Sequence, residues 1–240
     1  MHRFFPAATG VVLTLSLAAC SVTTSGTTRP EHTAHTRPTS TTTAAGPLPD
    51  RARWAARQLR ALPLAPRPQE DGTYVRDAFG ESWRDVDGNG CNQRDDVLQR
   101  DAVAGSLTLG HQDACDHDVL AGTWHDPYTG HTLVFTDLKE IHQAMAIQID
   151  HVVPLAEAWY SGARTWSVDR RERFANWLPE LLAVDGPTNE SKGDGDPAAW
   201  RPRKGFQCTY AERWIGVKTT WHLTVDASEV AALKQMLGYC

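Results

Sequence analysis

A tract that no hydrophobic core can include divides this chain. Of the 27 residues from Ser21 to Pro47, 13 are Ser or Thr, and most of the rest are Pro, Gly, Ala or isolated charges. Such a composition buries too little apolar surface to offset the entropy of ordering. As a flexible coil it spans roughly 30 Å and serves as a disordered tether, residues 21–47. A fold is therefore confined to residues 48–240, a length that can bury a sizeable core. The chain is 41% hydrophobic and 22% charged, a globular composition. Its net charge of −5 excludes a protein that coats nucleic acid by bulk charge, which needs a local excess of Lys and Arg. An enzyme with a small basic patch remains compatible.

Ahead of the tether stand Arg3, an apolar run from Val11 to Ala19, and then Cys20. The run is too short to cross a bilayer as a mature helix and suits the apolar part of a signal peptide. Leu17-Ala18-Ala19-Cys20 is similar to a bacterial lipobox. That resemblance implies a signal peptide over residues 1–20, lipidation of Cys20, export, and anchoring to the outer face of a membrane or later release. Four cysteines remain, Cys91, Cys115, Cys208 and Cys240, and an exported chain most simply carries them as two disulfides. Four cysteines allow three pairings. The local one, Cys91–Cys115 with Cys208–Cys240, closes loops worth about 3–4 kcal/mol each. A zinc site from His111, Cys115 and His117 is the rival, although its spacing matches no strong metal pattern.

Local patterns place the elements. Trp54, Ala55, Gln58, Leu59 and Leu62 predict a helix from Arg51 that Pro63 stops, with Arg51, Arg53, Arg57 and Arg60 on its solvated face. Asp85, Asp87 and Asn89, with Asp96 at the twelfth position, look like the start of a calcium loop. The plainer account is an Asx-rich turn leading into a helix near Arg94. A hairpin is expected over Gly122–Phe135 around the turn Asp126-Pro127-Tyr128-Thr129-Gly130. Asp226 and Glu229 have capping-box spacing before Val230, Leu233 and Leu237, which share one helical face.

Residues 146–200 carry the chemistry. Ala146 to Ile149 predicts a strand that runs into Asp150-His151-Val152-Val153-Pro154, and Glu180 to Val184 predicts a second. After the turn Asp185-Gly186-Pro187 comes a helix with Asn189 and Lys192. Leu155–Ala163 and Ser167–Leu178 read as helical insertions between the strands. Asp-His at a strand end, followed by Asn and Lys on a helix after a second strand, resembles the HNH endonucleases, the ββα-metal or His-Me finger branch. The stretches Asp150–Trp159, Phe174-Ala175-Asn176, Leu181–Val184 and Asn189–Asp194 are similar in particular to the GmrSD C-terminal type. The implied fold is α+β, a ββα-metal core with helical insertions, flanking helices and two disulfides.

Phosphodiester hydrolysis needs an activated water and an offset for negative charge on the phosphate and leaving oxygen. His151 suits a general base because imidazole titrates close to working pH. Asp150 points to the other side of the strand, and Asn189 offers a second oxygen from the helix. The resemblance makes Asp150 and Asn189 the metal ligands, with Mg²⁺ or Mn²⁺ as the ion, and His151 the base. Lys192 shares a helix face with Asn189, which makes it a candidate for phosphate contact. The middle Asn of the family pattern falls on Glu180. Ionised, Glu180 would accept but not donate a hydrogen bond and would add negative charge near the site. Arg164, Arg170, Arg171 and Arg173, with Arg201, Arg203 and Lys204, are the candidate backbone-phosphate contacts. Asp194 and Asp196 read as helix-ending turn residues. No base-reading motif is evident, so the expected substrate is DNA, or RNA, cut with little sequence preference. No protein partner is implied. The alternative class is a decayed surface lipoprotein that keeps the fold and binds an extracellular partner. A metal requirement coupled to His151 separates the two.

Overall fold

The computed structural model describes residues 49–67 and 71–240. The expected signal peptide, the lipidation site Cys20 and the tether lie outside the described residues. Helix α1 (Asp50–Ala61) buries Ala52, Ala55 and Leu59 and ends before Pro63, as its apolar spacing demands. Helix α2 (Gln93–Asp101) starts from an Asn92 side chain that caps the Asp95 amide. Strands β1 (Thr108–Gln112), β2 (Cys115–His125) and β3 (Thr132–Phe135) form an antiparallel sheet in that order. The expected hairpin is β2–β3, with His125 opposite Thr132. Strand β1 had no clear sequence signal, being mostly exposed and containing Gly110.

Helix α3 (Ile141–Ala146) runs directly into strand β4 (Ile147–His151), so Ala146 is helical rather than extended. Helices α4 (Leu155–Tyr160) and α5 (Val168–Ala175) follow. The second insertion stops at Ala175, three residues short of Leu178, and Leu178-Pro179-Glu180 forms a separate 3-10 turn. Strand β5 (Leu181–Asp185) pairs antiparallel with β4, Asp150 opposite Leu182 and His151 opposite Leu181. Helix α6 (Gly186–Lys192) springs from β5: the Asp185 carboxylate caps the Thr188 amide at 3.0 Å, and Pro187 sits in the first turn. Only glycine fits at 186, since a Cβ there would collide with the Met145 carbonyl. Helices α7 (Gln207–Trp221) and α8 (Ala227–Leu237) close the fold, with the predicted Asp226 cap on the Glu229 amide at 2.8 Å.

Two cores flank the β4–β5 pair. Ile147, Ile149, Leu181 and Ala183 pack with Val97, Leu98, Val119, Trp124 and Phe135 from α2 and the three-stranded sheet. Leu182 and Val184 face the helical core of α1, α4, α5, α7 and α8. A strand covered on both faces reads as a continuous apolar run, which is the pattern of Leu181–Val184. Helix α7 lacked an amphipathic signature because it is buried nearly all round, Tyr210, Trp214, Ile215 and Lys218 included. The Lys218 ammonium is wholly buried between Glu157 and Glu229, at 2.8 Å from each.

Both local disulfides form, Cys91–Cys115 and Cys208–Cys240. The zinc alternative fails for that reason: Cys115 is bonded to sulfur and offers no thiolate. His117 instead lies between Asp96 and Asp116, at 2.7 Å from each, which raises its pKa against the cost of burial. At Asp85, Asp87 and Asn89 the structure forms the Asx-rich turn. Asp85 accepts from the amides of Gly88 (2.7 Å) and Gly90 (2.9 Å), and Asn89 accepts from Cys91 at 2.7 Å. Asn89 also donates to Asp96 at 2.9 Å, so the acidic loop is closed on its own groups. Among the described residues no helix is long and apolar enough to cross a membrane.

Candidate active site

The two-residue period of β4 sends neighbouring side chains to opposite faces. Asp150 turns toward α6 and the β2–β3 turn. His151 turns toward the end of α5. Both nonetheless edge one cleft of about 220 Å³, together with Gln148, Asn189, Glu190, Asp194 and Arg76. Three of the four candidate catalytic residues thus meet there.

His151 is almost entirely buried, and its Nε2 lies 2.8 Å from the Ala175 carbonyl. A carbonyl only accepts, so Nε2 carries the proton and Nδ1 holds the lone pair. Trp83 stacks on the ring at 5.8 Å and 17°. Burial pushes the His151 pKa down to about 3, with the nearby Arg76 charge acting the same way and the Ala175 bond opposing. The imidazole is therefore neutral at working pH.

Asp150 is held on both oxygens. Tyr128 of the hairpin turn donates to Oδ2, and the Lys192 ammonium donates to Oδ1 at 2.8 Å and to the His151 carbonyl at 2.7 Å. Burial raises the Asp150 carboxyl while the adjacent Lys192 charge pulls it back. Burial and the Asp150 charge push the Tyr128 hydroxyl well up, so it remains a donor. Lys192 does not reach outward to phosphate as its helix position suggested. Its side chain has no exposed surface, because β4 supplies it with a carboxylate and a carbonyl beneath the cleft.

Asn189 stands at the cleft edge, its Nδ2 donating to Gln148 Oε1 at 2.9 Å. That bond orients the amide and leaves Oδ1 as the acceptor. The Asp150 carboxylate, whose oxygens each retain a second lone pair, and the Asn189 Oδ1 are hard oxygen donors of the kind Mg²⁺ and Mn²⁺ take. The donor set fits such an ion.

Glu180 behaves unlike an exposed carboxylate. It is wholly buried, its Oε1 accepts from the Val153 amide at 2.9 Å, and its backbone carbonyl accepts from Val152. Its Oε2 has no partner. Burial holds its pKa well above the ordinary carboxylate range, so it stays protonated and brings no negative charge to the cleft. It braces the segment that follows His151. A raised folded pKa means stability is fully present below the unfolded value near 4.5 and is lost as pH rises toward the folded value. The loss approaches about 1.4 kcal/mol per pH unit in that window. Glu180→Gln removes this slope. Chemical denaturation should find the variant close to wild type at pH 4 and more stable at pH 8. Parallel pH curves for the two proteins would mean that Glu180 is ionised in the fold.

The candidate phosphate-binding arginines disperse. Arg171 is buried, bound to the carbonyls of Ala78 (2.7 Å) and Trp166 (2.5 Å), and serves packing. Arg170 lies over the Trp166 ring at 4.4 Å and donates to the Trp221 carbonyl. Arg164 faces Asp71 at 3.9 Å, and Arg201 donates to Gln235 at 3.0 Å. Arg203 reaches the Pro127 carbonyl at 3.4 Å, and Lys204 sits over Tyr239 at 4.6 Å. Arg173 is exposed beside Trp177. The arginine that lines the cleft is Arg76, which no sequence pattern singled out. Tyr128 was likewise missed, whereas Gln148 could have been found from its strand period with Asp150.

Residues 92–236 match the family model described as GmrSD restriction endonucleases, C-terminal domain. This chain belongs to that family. The GmrSD C-terminal match takes in every element from α2 into α8, and with them Asp150, His151, Glu180, Asn189 and Lys192. A relative within reach of full length is an "Uncharacterized secreted protein" of Arthroderma benhamiae, 38% identical over 189 residues, covering 76% of this chain and 82% of the relative. No solved structure matches. The GmrSD C-terminal domain here is thus a mixed α+β unit with two disulfides, of a nuclease-type family.

Proposed function

We propose that residues 48–240 form a metal-dependent HNH endonuclease, β4, β5 and α6 being its ββα-metal core, that hydrolyses phosphodiester bonds in DNA, with RNA the alternative, at low sequence specificity. The observation that carries this reading is the fixed tautomer of His151. Its Nε2–H is committed to the Ala175 carbonyl, so Nδ1 is the one ring nitrogen able to take a proton. Asp150 and Asn189 would hold the ion, which when bound supplies Lewis-acid offset of the phosphate and leaving-oxygen charge.

The chain's own residues do the rest. Nδ1 of His151 takes a proton from water as the water oxygen bonds to phosphorus, and the bond from phosphorus to the leaving oxygen breaks. A scissile phosphate brings negative charge beside the buried ring, which favours the imidazolium that burial alone disfavours. Lys192 and Tyr128 hold the Asp150 carboxylate in place, and Asn189 is held by Gln148. Glu180 keeps the segment after His151 in position through the Val153 amide. Arg76 at the cleft wall is the cation placed to meet a phosphate. The neutral state of Glu180 favours an active enzyme over a decayed binding module. Export is supported by the name of the fungal relative, and anchoring through Cys20 is part of the proposal.

Plasmid relaxation by the purified protein tests the reading. Cutting is expected with Mg²⁺ or Mn²⁺ and none with EDTA. A folded protein silent with every divalent ion would overturn it in favour of the binding module.

A further inference from the structure

The edge of β5 that does not pair with β4 is held by the end of α2. The Ala183 amide donates to Asp101 at 3.0 Å, and Arg100 donates to the Leu181 carbonyl at 2.7 Å. A cavity of about 170 Å³ opens at this edge, lined in part by Asp101, His125, Phe206 and Arg213 of α7. It shares no residue with the catalytic cleft. Among the described residues Arg213 has neither a hydrogen bond nor an ion pair. Its Nε is buried without a partner, whereas its two terminal nitrogens keep accessible surface where the side chain lines the cavity. An enclosed guanidinium with no acceptor costs stability, because nothing offsets its desolvation. Burial lowers its pKa, the Arg100 charge acts the same way, and Asp101 opposes them. Asp101 is committed elsewhere: Arg100 donates to each of its oxygens at 2.7 Å, and the Ala183 amide takes one of them as well.

The cavity therefore holds a positive charge and donors that lack acceptors. A guanidinium presents its N–H groups in a fork that matches the oxygens of a phosphate. His125 is exposed at the mouth, and its Nδ1 lies 3.1 Å from the Thr132 hydroxyl, which leaves Nε2 as the free ring nitrogen. Donors that converge from α7 and from the end of β2 suit a tetrahedral oxyanion better than a planar carboxylate. Pro127, Leu182 and Phe206 supply apolar wall, which strengthens a charged contact by keeping water away. Arg203 and Lys204 are exposed on the turn that ends at Phe206, and they extend the positive charge beyond the mouth. We infer that this cavity is a phosphate-binding site separate from the catalytic cleft, with Arg213 as its anchoring cation and His125 as a second donor. The phosphate is free, or it belongs to a nucleic-acid strand that runs past the cleft. The site itself stands without the nuclease reading, and only the strand as source rests on it.

Thermal unfolding of the full chain in inorganic phosphate tests the site without any cutting. Titration to about 50 mM, ten times a Kd of a few millimolar, should raise Tm by about 2–4 °C over chloride at equal ionic strength. Arg213→Met keeps bulk and removes an unpartnered charge, so it should melt no lower than wild type without phosphate and should lose the shift. Arg76→Met, in the cleft, should keep the shift. A wild-type protein with no phosphate-specific shift overturns the proposal and needs no variant to fold. A shift that survives Arg213→Met overturns it too, and its loss in Arg76→Met would put the anion in the cleft. Fluorescence anisotropy with labelled octathymidylate in EDTA separates the two sources. A phosphate borne by a strand predicts about tenfold weaker binding by Arg213→Met, the loss of one charged hydrogen-bonded contact. Free phosphate predicts a lost thermal shift with strand binding unchanged. A protein that passes the thermal test yet never relaxes plasmid keeps this site and loses the nuclease.

Discussion

His151→Ala is expected to lower metal-dependent plasmid cleavage by about 10²- to 10⁴-fold, the contribution a positioned base makes. His151 is the one imidazole among the residues that line the cleft. Lys192 is a cation committed to Asp150, and Glu180 is buried behind the loop and protonated. Imidazole added to the assay should restore part of the alanine variant's rate, since the vacated recess lies beside Trp83 and Ala175. A structural role alone would show no such rescue. The pH profile adds an independent sign. The acid limb of kcat/KM reports the base in the free enzyme, and burial holds His151 at about 3. That limb should therefore lie below the 6.5 of an ordinary histidine. An undiminished rate for His151→Ala would remove this residue from the mechanism.

Lys192→Met should destabilise the protein by about 3–5 kcal/mol at neutral pH, because it leaves a carboxylate buried without its cation. The Lys192 side chain has no exposed surface and that of Asp150 only 6%. Burial already raises the Asp150 carboxyl, and Lys192 is the largest influence opposing it. Without the lysine that pKa rises further. Stability is then retained below the unfolded value near 3.8 and lost as pH increases, so the penalty should be small near pH 4 and greatest above 7. The double variant Asp150→Asn with Lys192→Met leaves no buried charge and should recover much of the stability while cleavage stays lost. Equilibrium denaturation at two pH values measures both effects. A pH-independent penalty would mean that the loss comes from packing rather than from an orphaned carboxylate. A phosphate-binding Lys192 at the surface would instead cost activity and almost no stability.

Much of this architecture was legible because it is written locally. The period of two in Ile147–His151 puts Asp150 and His151 on opposite faces whatever surrounds them. The apolar run Leu181–Val184, bounded by Pro179 and Gly186, reads as a strand covered on both sides. The cap at Asp226 marks where a helix starts, since its carboxylate satisfies an amide three residues on. Helix α7 was not legible, because burial on nearly every side erases the polar face that marks a helix.

The candidate site divides along the same line. Sequence alone determined that an Asp-His strand end, a second strand and an Asn-bearing helix follow one another, and that the cysteines permit two short loops. Only the tertiary structure decided what those residues do. Tyr128 reaches Asp150 across 22 positions and Lys192 across 42, and contacts over such separations leave no period to read. Burial, a property of the whole fold, made Lys192 a buried counter-ion rather than a phosphate contact. It keeps Glu180 neutral and His151 uncharged, because a low-dielectric interior disfavours the charged form of each unless a partner is supplied.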